Sequence, residues 1–324
     1  MTVNTEISAP GTDATLPALS RAAGALMRRL PFPTVLATDI PGVSFYRRES
    51  VNAEGIYITR PCVSFLVQGA KQTFAGGLTA TYREGSFLIC ASTMPGRCSV
   101  ITPSKERPFL SIAMPLDLTE LARIFSEIAG EPAAHAANRS VLTPPALVTG
   151  RQTPEMAGAV LRLIEAAAEP LRAKYIGPLI VKELHFLLAL SPEGAALRPL
   201  CTARTAANRI ALVVKEMEAD IARDISPEEI ARSIGMSSAV FHRRFRETTG
   251  LSPVQFQKRL RLFRAQELMV TEGRRVSEAA AAVGYRSASQ FTREYAREFG
   301  ATPRQDAEER RRQLASGGSA EDSI

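Results

Sequence analysis

The sequence predicts an α+β protein with a β-rich N-terminal half, a helical middle and an all-helical C-terminal third. Three observations predict it. Residues 42–115 hold short alternating apolar runs cut by turn residues at roughly ten-residue spacing, the texture of a β-sandwich or barrel. From Leu116 onward apolar positions recur at helical spacing. After Ala206 a pattern of short helix, glycine turn and second helix occurs twice, about fifty residues apart.

In chain order, residues 1–18 lack both a basic start and an apolar run, so they read as a disordered polar leader and not as a signal peptide. Residues 19–30 form a short amphipathic helix. The strand-like runs are 43–47, 62–67, 78–82, 86–90, 98–102 and 109–114. Helices follow at 116–128, 156–168 and 171–190, the last carrying Leu179, Ile180, Leu184, Leu187 and Leu188 on one side. Residues 197–205 read as a linker. The domains are therefore 19–200 and 201–310, and residues 311–324 are a disordered tail.

The 324 residues are enough for two compact cores, and 45% hydrophobic with 23% charged residues is ordinary for a soluble globular chain. No run approaches the ~18 apolar residues of a membrane span, so no membrane partner is expected. Cys62, Cys90, Cys98 and Cys201 show no CxxC pair and no metal spacing, and they read as reduced thiols of a cytoplasmic protein. Net charge is +7, and its distribution is more telling than its size. Arg243, Arg244, Arg246, Lys258, Arg259, Arg261 and Arg264 face one acid, Glu247, in the same stretch. Such a basic stripe is the electrostatic footprint of nucleic-acid binding.

The repeated pattern supplies the geometry. Ser226 caps a first helix, with Pro227 at its first position and acids in its first turn. Gly235 makes the turn, Ser237 caps a second helix over 238–249, and Gly250 ends it. With Phe241 and Phe245 buried, the opposite face carries Ser238, Ala239, His242, Arg243 and Arg246. Short residues first and long donors after them suit a recognition helix in a major groove. The second unit repeats this, with helices at 276–283 and 288–299. Phe291 and Tyr295 face inward, and Ala288, Ser289, Thr292 and Arg293 face outward. A continuous helix of about 18 residues, spanning roughly 27 Å, joins the units, and its Lys258, Arg259 and Arg261 are expected beside phosphates.

These residues resemble the AraC/XylS family of bacterial transcription regulators. Residues 284–300 with Thr302 and Pro303 carry the family signature, although Arg304, Gln305 and Asp306 stand where an aromatic-Arg pair is usual. Residues 40–46, 62–69 and 85–89 resemble the N-terminal domain of one AraC subgroup. The resemblance implies a cupin-like effector-binding barrel and a dimerisation role for the helices within 156–190. It places Ala239, His242, Arg243, Ala288, Ser289, Thr292 and Arg293 at base-facing positions, with Arg246 beside phosphates. The expected partners are double-stranded operator DNA, a small-molecule effector, a second copy of the chain and RNA polymerase.

The aromatic residues of the β-region could line the effector pocket, for which Phe65, Phe74, Phe87 and Cys90 are the candidates. Residues 41–115 contain no histidine, and His135, His185 and His242 are far apart, so neither a metal site nor a catalytic site is expected and no cofactor is implied. Cys90 and Cys98, about a hairpin apart, fit an oxidant- or electrophile-sensing pair less well than packed strand residues. The rival reading from another class is an architectural DNA-binding protein with no ligand.

Overall fold

The computed structural model describes residues 15–30, 35–50, 55–75, 78–130, 146–202 and 204–315. Its β part consists of two antiparallel sheets. The six-stranded sheet runs β1 (Val35–Ala37), β2 (Ser44–Arg48), β9 (Phe109–Pro115), β4 (Cys62–Gln68), β7 (Ser86–Cys90) and β10 (Leu147–Arg151). The four-stranded sheet runs β3 (Gly55–Thr59), β8 (Met94–Ile101), β5 (Ala70–Ala75) and β6 (Leu78–Arg83). The two sheets share a core of Tyr46, Cys62, Leu66, Ala80, Tyr82, Leu88, Cys90, Phe109 and Ala113. Among the described residues the strands do not close into one hydrogen-bonded ring.

Strand side chains alternate between faces, so the six-stranded sheet has a second apolar face. Phe45, Val63, Phe65, Phe87, Ile89, Ile112 and Met114 lie there, packed with α1 (Thr15–Arg29), α2 (Leu118–Glu127), α3 (Pro154–Ala167) and α5 (Gly177–Leu190). Both faces of the sheet are thus buried, which explains why β7 and β9 read as nearly unbroken apolar runs.

Several sequence boundaries move. α1 begins at Thr15, inside the segment expected to be a disordered leader; residues 1–14 lie outside the described ones. α13 (Pro303–Ala315) runs five residues into the expected tail. The single helix expected over 171–190 is two, α4 (Pro170–Tyr175) and α5, broken at Ile176. Pro178 has no N–H to continue the ladder. Gly177 also lies against Ile40, where a Cβ would meet Cγ1 at 2.6 Å, so the chain turns at this point of close approach. The expected linker contains α6 (Arg198–Cys201), and Thr205 caps α7 (Ala206–Ala219) by accepting from the Asn208 N–H.

The C-terminal part has two separate cores. Ile210, Val213, Val214 and Met217 of α7, Ala231 of α8 (Pro227–Ser233), Phe241 and Phe245 of α9 (Ser238–Thr249) and Phe256 and Leu260 of α10 (Pro253–Val270) form the first. Leu262, Ala265, Leu268 and Met269 of α10 join Ala279 and Ala280 of α11 (Val276–Ala282), Phe291 and Tyr295 of α12 (Ala288–Phe299) and Ala307 of α13 in the second. α10 therefore serves one core with its first half and the other with its second. The two halves of the molecule meet where α10 lies against β8 and β3.

Candidate nucleic-acid interface

Local sequence fixes both second helices of the repeated unit. Ser237 Oγ accepts from the Val240 N–H and caps α9, which Gly250 ends at φ +76°. Ser287 caps α12 by accepting from the Gln290 N–H, and Gly300 ends it, also at φ +76°. Gly235 turns the chain at φ +67°, a conformation glycine adopts without steric cost. Phe241 packs edge-on to Phe245 at 5.5 Å within α9, and Phe245 to Phe256 of α10 at 5.4 Å, while both rings share a core with Ala231 of α8, so the packing fixes the face that α9 turns inward.

That anchoring decides what faces outward. Ser238, Ala239, Arg243 and Arg246 are exposed on α9, and His242 is half-buried with its ring edge-on to Phe241. On α12, Ala288, Ser289 and Arg293 are exposed, while Thr292 is half-buried and donates its hydroxyl proton to the Ala288 carbonyl at 2.9 Å. Among the described residues, Arg243, Arg246 and Arg293 show no ion pair and no side-chain hydrogen bond. Three guanidinium groups on two equivalent helices thus remain open to an external acceptor.

The other expected phosphate contacts are committed elsewhere. Lys258 Nζ lies 2.9 Å from Glu294 Oε1, and Arg259 Nε lies 2.9 Å from Glu298 Oε1. Glu294 and Glu298 are one turn apart on α12, so the two pairs strap α10 to α12. Arg261 donates to the carbonyls of Ile221, Ala222 and Arg223 and pairs with Asp224, which ties α10 to the segment after α7. These three cations hold the two units in register in the absence of DNA. The physical reason lies in pairing across elements: the acids stand 36 or more positions away in the chain and meet α10 only after folding.

Sequence reading also missed Asp306. It accepts from Tyr295 Oη at 2.7 Å, from Gln266 Nε2 at 2.6 Å and from Arg310 Nε at 3.0 Å. Burial, with this carboxylate alongside, pushes the Tyr295 hydroxyl up. Asp306 thus binds α10, α12 and α13 together in the region where the usual aromatic-Arg pair is replaced. Thr302 and Gln305 cap each other's backbone there, so α13 has its N-terminal cap. Arg286, in the turn before α12, is a further exposed cation that the sequence reading did not single out, paired at 3.5 Å with Asp224.

The expected effector residues do not come together. Phe65 and Phe87, with ring centroids 6.0 Å apart, face the helices, whereas Cys90 faces the core between the sheets. Strand alternation requires this, because Phe65 is three residues from Cys62 and Phe87 three from Cys90. Phe74 lies on the outer side of the four-stranded sheet, with the Arg97 guanidinium 5.8 Å from its ring centre. It borders a cavity of about 360 Å³ between that sheet and α10 and α12, lined also by Leu78, Arg97, Arg259, Phe263 and Arg297.

Residues 39–196 match the family described as the AraC-type transcriptional regulator N-terminus, and residues 230–309 match a helix-turn-helix domain. The HTH-type transcriptional regulator ExsA of Pseudomonas aeruginosa is 29% identical over 160 residues, covering 49% of this chain and 56% of ExsA. The virulence regulon transcriptional activator VirF of Yersinia enterocolitica is 27% identical over 225 residues, covering 69% of this chain and 77% of VirF. The chain thus spans just over half the length of ExsA. In fold it is similar to ToxT of Vibrio cholerae, with a TM-score of 0.56 at 13% identity, covering 85% of this chain and 98% of ToxT. A second ToxT structure, solved with an unsaturated fatty acid bound, gives a TM-score of 0.54 at 12% identity over 85% of this chain and 95% of that one.

Proposed function

The chain belongs to the AraC-type family of transcriptional regulators, and from that premise we propose that it binds operator DNA in a sequence-specific way and regulates transcription there. The observation that carries this reading is the pair of capped helices, α9 and α12. Each presents short residues followed by an unpaired arginine, and a rod of about 27 Å joins them. One turn of B-DNA is ~34 Å, so helices held by such a rod suit successive major grooves. Ser238, Ala239, Arg243, Ala288, Ser289 and Arg293 are assigned to base edges, Arg246 to a phosphate, and the half-buried His242 and Thr292 to the margins. The chain is read as a regulator and not as an enzyme, working in the cytoplasm where its DNA is.

Selection from a random duplex pool tests the reading. The expected product is a recurrent site with two half-sites about one helical turn apart, on which Arg243→Ala costs about 1–3 kcal/mol and relaxes one base position. No enrichment, or an equal loss on every sequence, overturns the assignment.

A homodimer is supported by the apolar side chains that α4 and α5 leave exposed, namely Leu171, Tyr175, Leu179 and Phe186. An effector is supported by the cavity lined by Phe74, Arg97, Arg297 and the paired Arg259 and Glu298, because both halves of the molecule border it. Contact with RNA polymerase follows for an activator bound at a promoter. No helix among the described residues is long and apolar enough to cross a membrane.

A further inference from the structure

Three of the four cysteines converge between the two sheets. Cys62 opens β4 and Cys90 closes β7, and the two stand directly opposite each other in the antiparallel ladder. Cα atoms of such partners lie about 4.5–5.5 Å apart, inside the 4.4–6.8 Å range a disulfide spans, so the two sulfurs are within reach of a bond. The two thiols lie close enough to shift each other's titration, and Cys98 of β8 adds to the charge around Cys90. Lys71 of β5, its ammonium 6.0 Å from the centre of the Phe109 ring, supplies positive charge to both thiols.

The neighbours of this pair in the chain give it a route outward. Arg60 lies two residues before Cys62, and Thr93 three residues after Cys90. Both lie near Glu218 of α7, close enough for the Thr93 hydroxyl and the Arg60 guanidinium to favour its charged form. Glu218 Oε1 is itself buried without a hydrogen-bond partner. The ends of β4 and β7 that carry the thiols are therefore the ends that lead, through Arg60 and Thr93, towards Glu218 in the first helix of the DNA-binding part.

We propose that Cys62 and Cys90 form an oxidisable dithiol that reacts with small hydroperoxides, and that its disulfide state is passed to α7 through Arg60 and Thr93 at Glu218. The Cys62 thiolate attacks the distal peroxide oxygen, breaking the O–O bond to give a Cys62 sulfenic acid and releasing an alcohol, or water from hydrogen peroxide. The Cys90 sulfur then attacks the sulfenic sulfur, forming the S–S bond and releasing water. The hydroperoxide is reduced by two electrons as the two thiols are oxidised. The order of roles follows the surroundings. The neighbouring Cys90 and the charge of Lys71 hold the Cys62 thiol below the usual range, while Cys90 is pushed up by the neighbouring Cys62 and by burial. Cys201, the more exposed thiol, is pushed up to about 12 by burial and by the nearby Asp117. An S–S bond of about 2.05 Å is far shorter than any contact between two free thiols, so closing it draws Arg60 and Thr93 together.

The test uses the full chain without DNA, so its failure leaves the DNA-binding reading intact. The protein is treated with increasing equivalents of tert-butyl hydroperoxide, then followed by intact mass, non-reducing peptide mapping and amide hydrogen exchange. The expected result is a loss of two hydrogens per chain, a cross-linked peptide joining Cys62 to Cys90, and reversal by dithiothreitol. Cys98→Ser should keep the cross-link, and Cys90→Ser should stop at a sulfenic acid that dimedone traps on Cys62. Exchange over residues 206–219 should change on oxidation, while that over 276–282 should not. Oxidation at Cys201 first, a Cys90–Cys98 cross-link, or thiols that stay reduced in excess oxidant would overturn the dithiol. A cross-link without any exchange change in residues 206–219 would overturn the coupling. If a serine variant fails to fold, the peptide map and exchange of the unaltered chain decide both points.

Discussion

Arg246 and Arg259 look alike in the sequence, but the structure separates them, and salt dependence should show it. Arg246 is exposed on α9 without a partner, whereas the Arg259 guanidinium is bonded to Glu298 at 2.9 Å. A phosphate contact releases counterions and contributes about 0.9 to the slope of log affinity against log salt. Arg246→Ala should lower that slope by about 0.9. Between about 50 and 200 mM salt the variant should therefore lose about 3.5-fold less affinity than the parent protein. Arg259→Ala should leave the slope unchanged. Because the Arg259 side chain is 36% exposed, its pair contributes about 0.2–1 kcal/mol, which should appear only as a slightly lower denaturation midpoint. Fluorescence anisotropy on a duplex recovered from the random pool, titrated with KCl, measures both slopes. A fall of about 0.9 for Arg259→Ala would mean that the strap opens on DNA and would refute the reasoning.

Asp306→Ala should destabilise the second unit by about 1–3 kcal/mol for each buried donor it leaves unpaired, Tyr295 and Gln266 among them. Denaturant unfolding checks this, and a loss below about 0.5 kcal/mol, typical of an uninvolved surface site, contradicts the hub role. Glu218 has its carboxyl raised above the ordinary range, chiefly by burial. A raised acid costs the folded state nothing below the unfolded value, where both states are protonated, and costs it stability once the pH passes the folded value. Glu218→Gln should therefore raise the melting temperature at pH 7, with the gain vanishing as the pH falls below the usual glutamate range. A gain of equal size at both pH values would point to another cause. Replacing Leu171 and Leu179 together with glutamate should turn a dimer into a monomer in sedimentation, and an unchanged dimer would move the interface away from α4 and α5.

The sequence alone determined those features that depend on neighbours a few residues apart. Caps at Ser226 and Ser237, the turn at Gly235, the stops at Gly250 and Gly300, and the inward pairs Phe241–Phe245 and Phe291–Tyr295 all rest on spacings of one helical turn or less, and the boundaries of α9 and α12 came out as read. Strand alternation is also local: three-residue spacings put Phe65 on the opposite face from Cys62 and Phe87 on the opposite face from Cys90. Tertiary structure decided which cations remain open. A guanidinium is available to DNA only if no carboxylate reaches it first, and Glu294, Glu298 and Asp224 come to Lys258, Arg259 and Arg261 from other helices or from the segment after α7. The same holds for Asp306 and for the thiols. Cys90 pairs with Cys62, 28 positions away, and not with Cys98, 8 positions away, because the ladder of β4 and β7 sets that contact and hydrophobic patterning within a single strand carries no information about its partner's register.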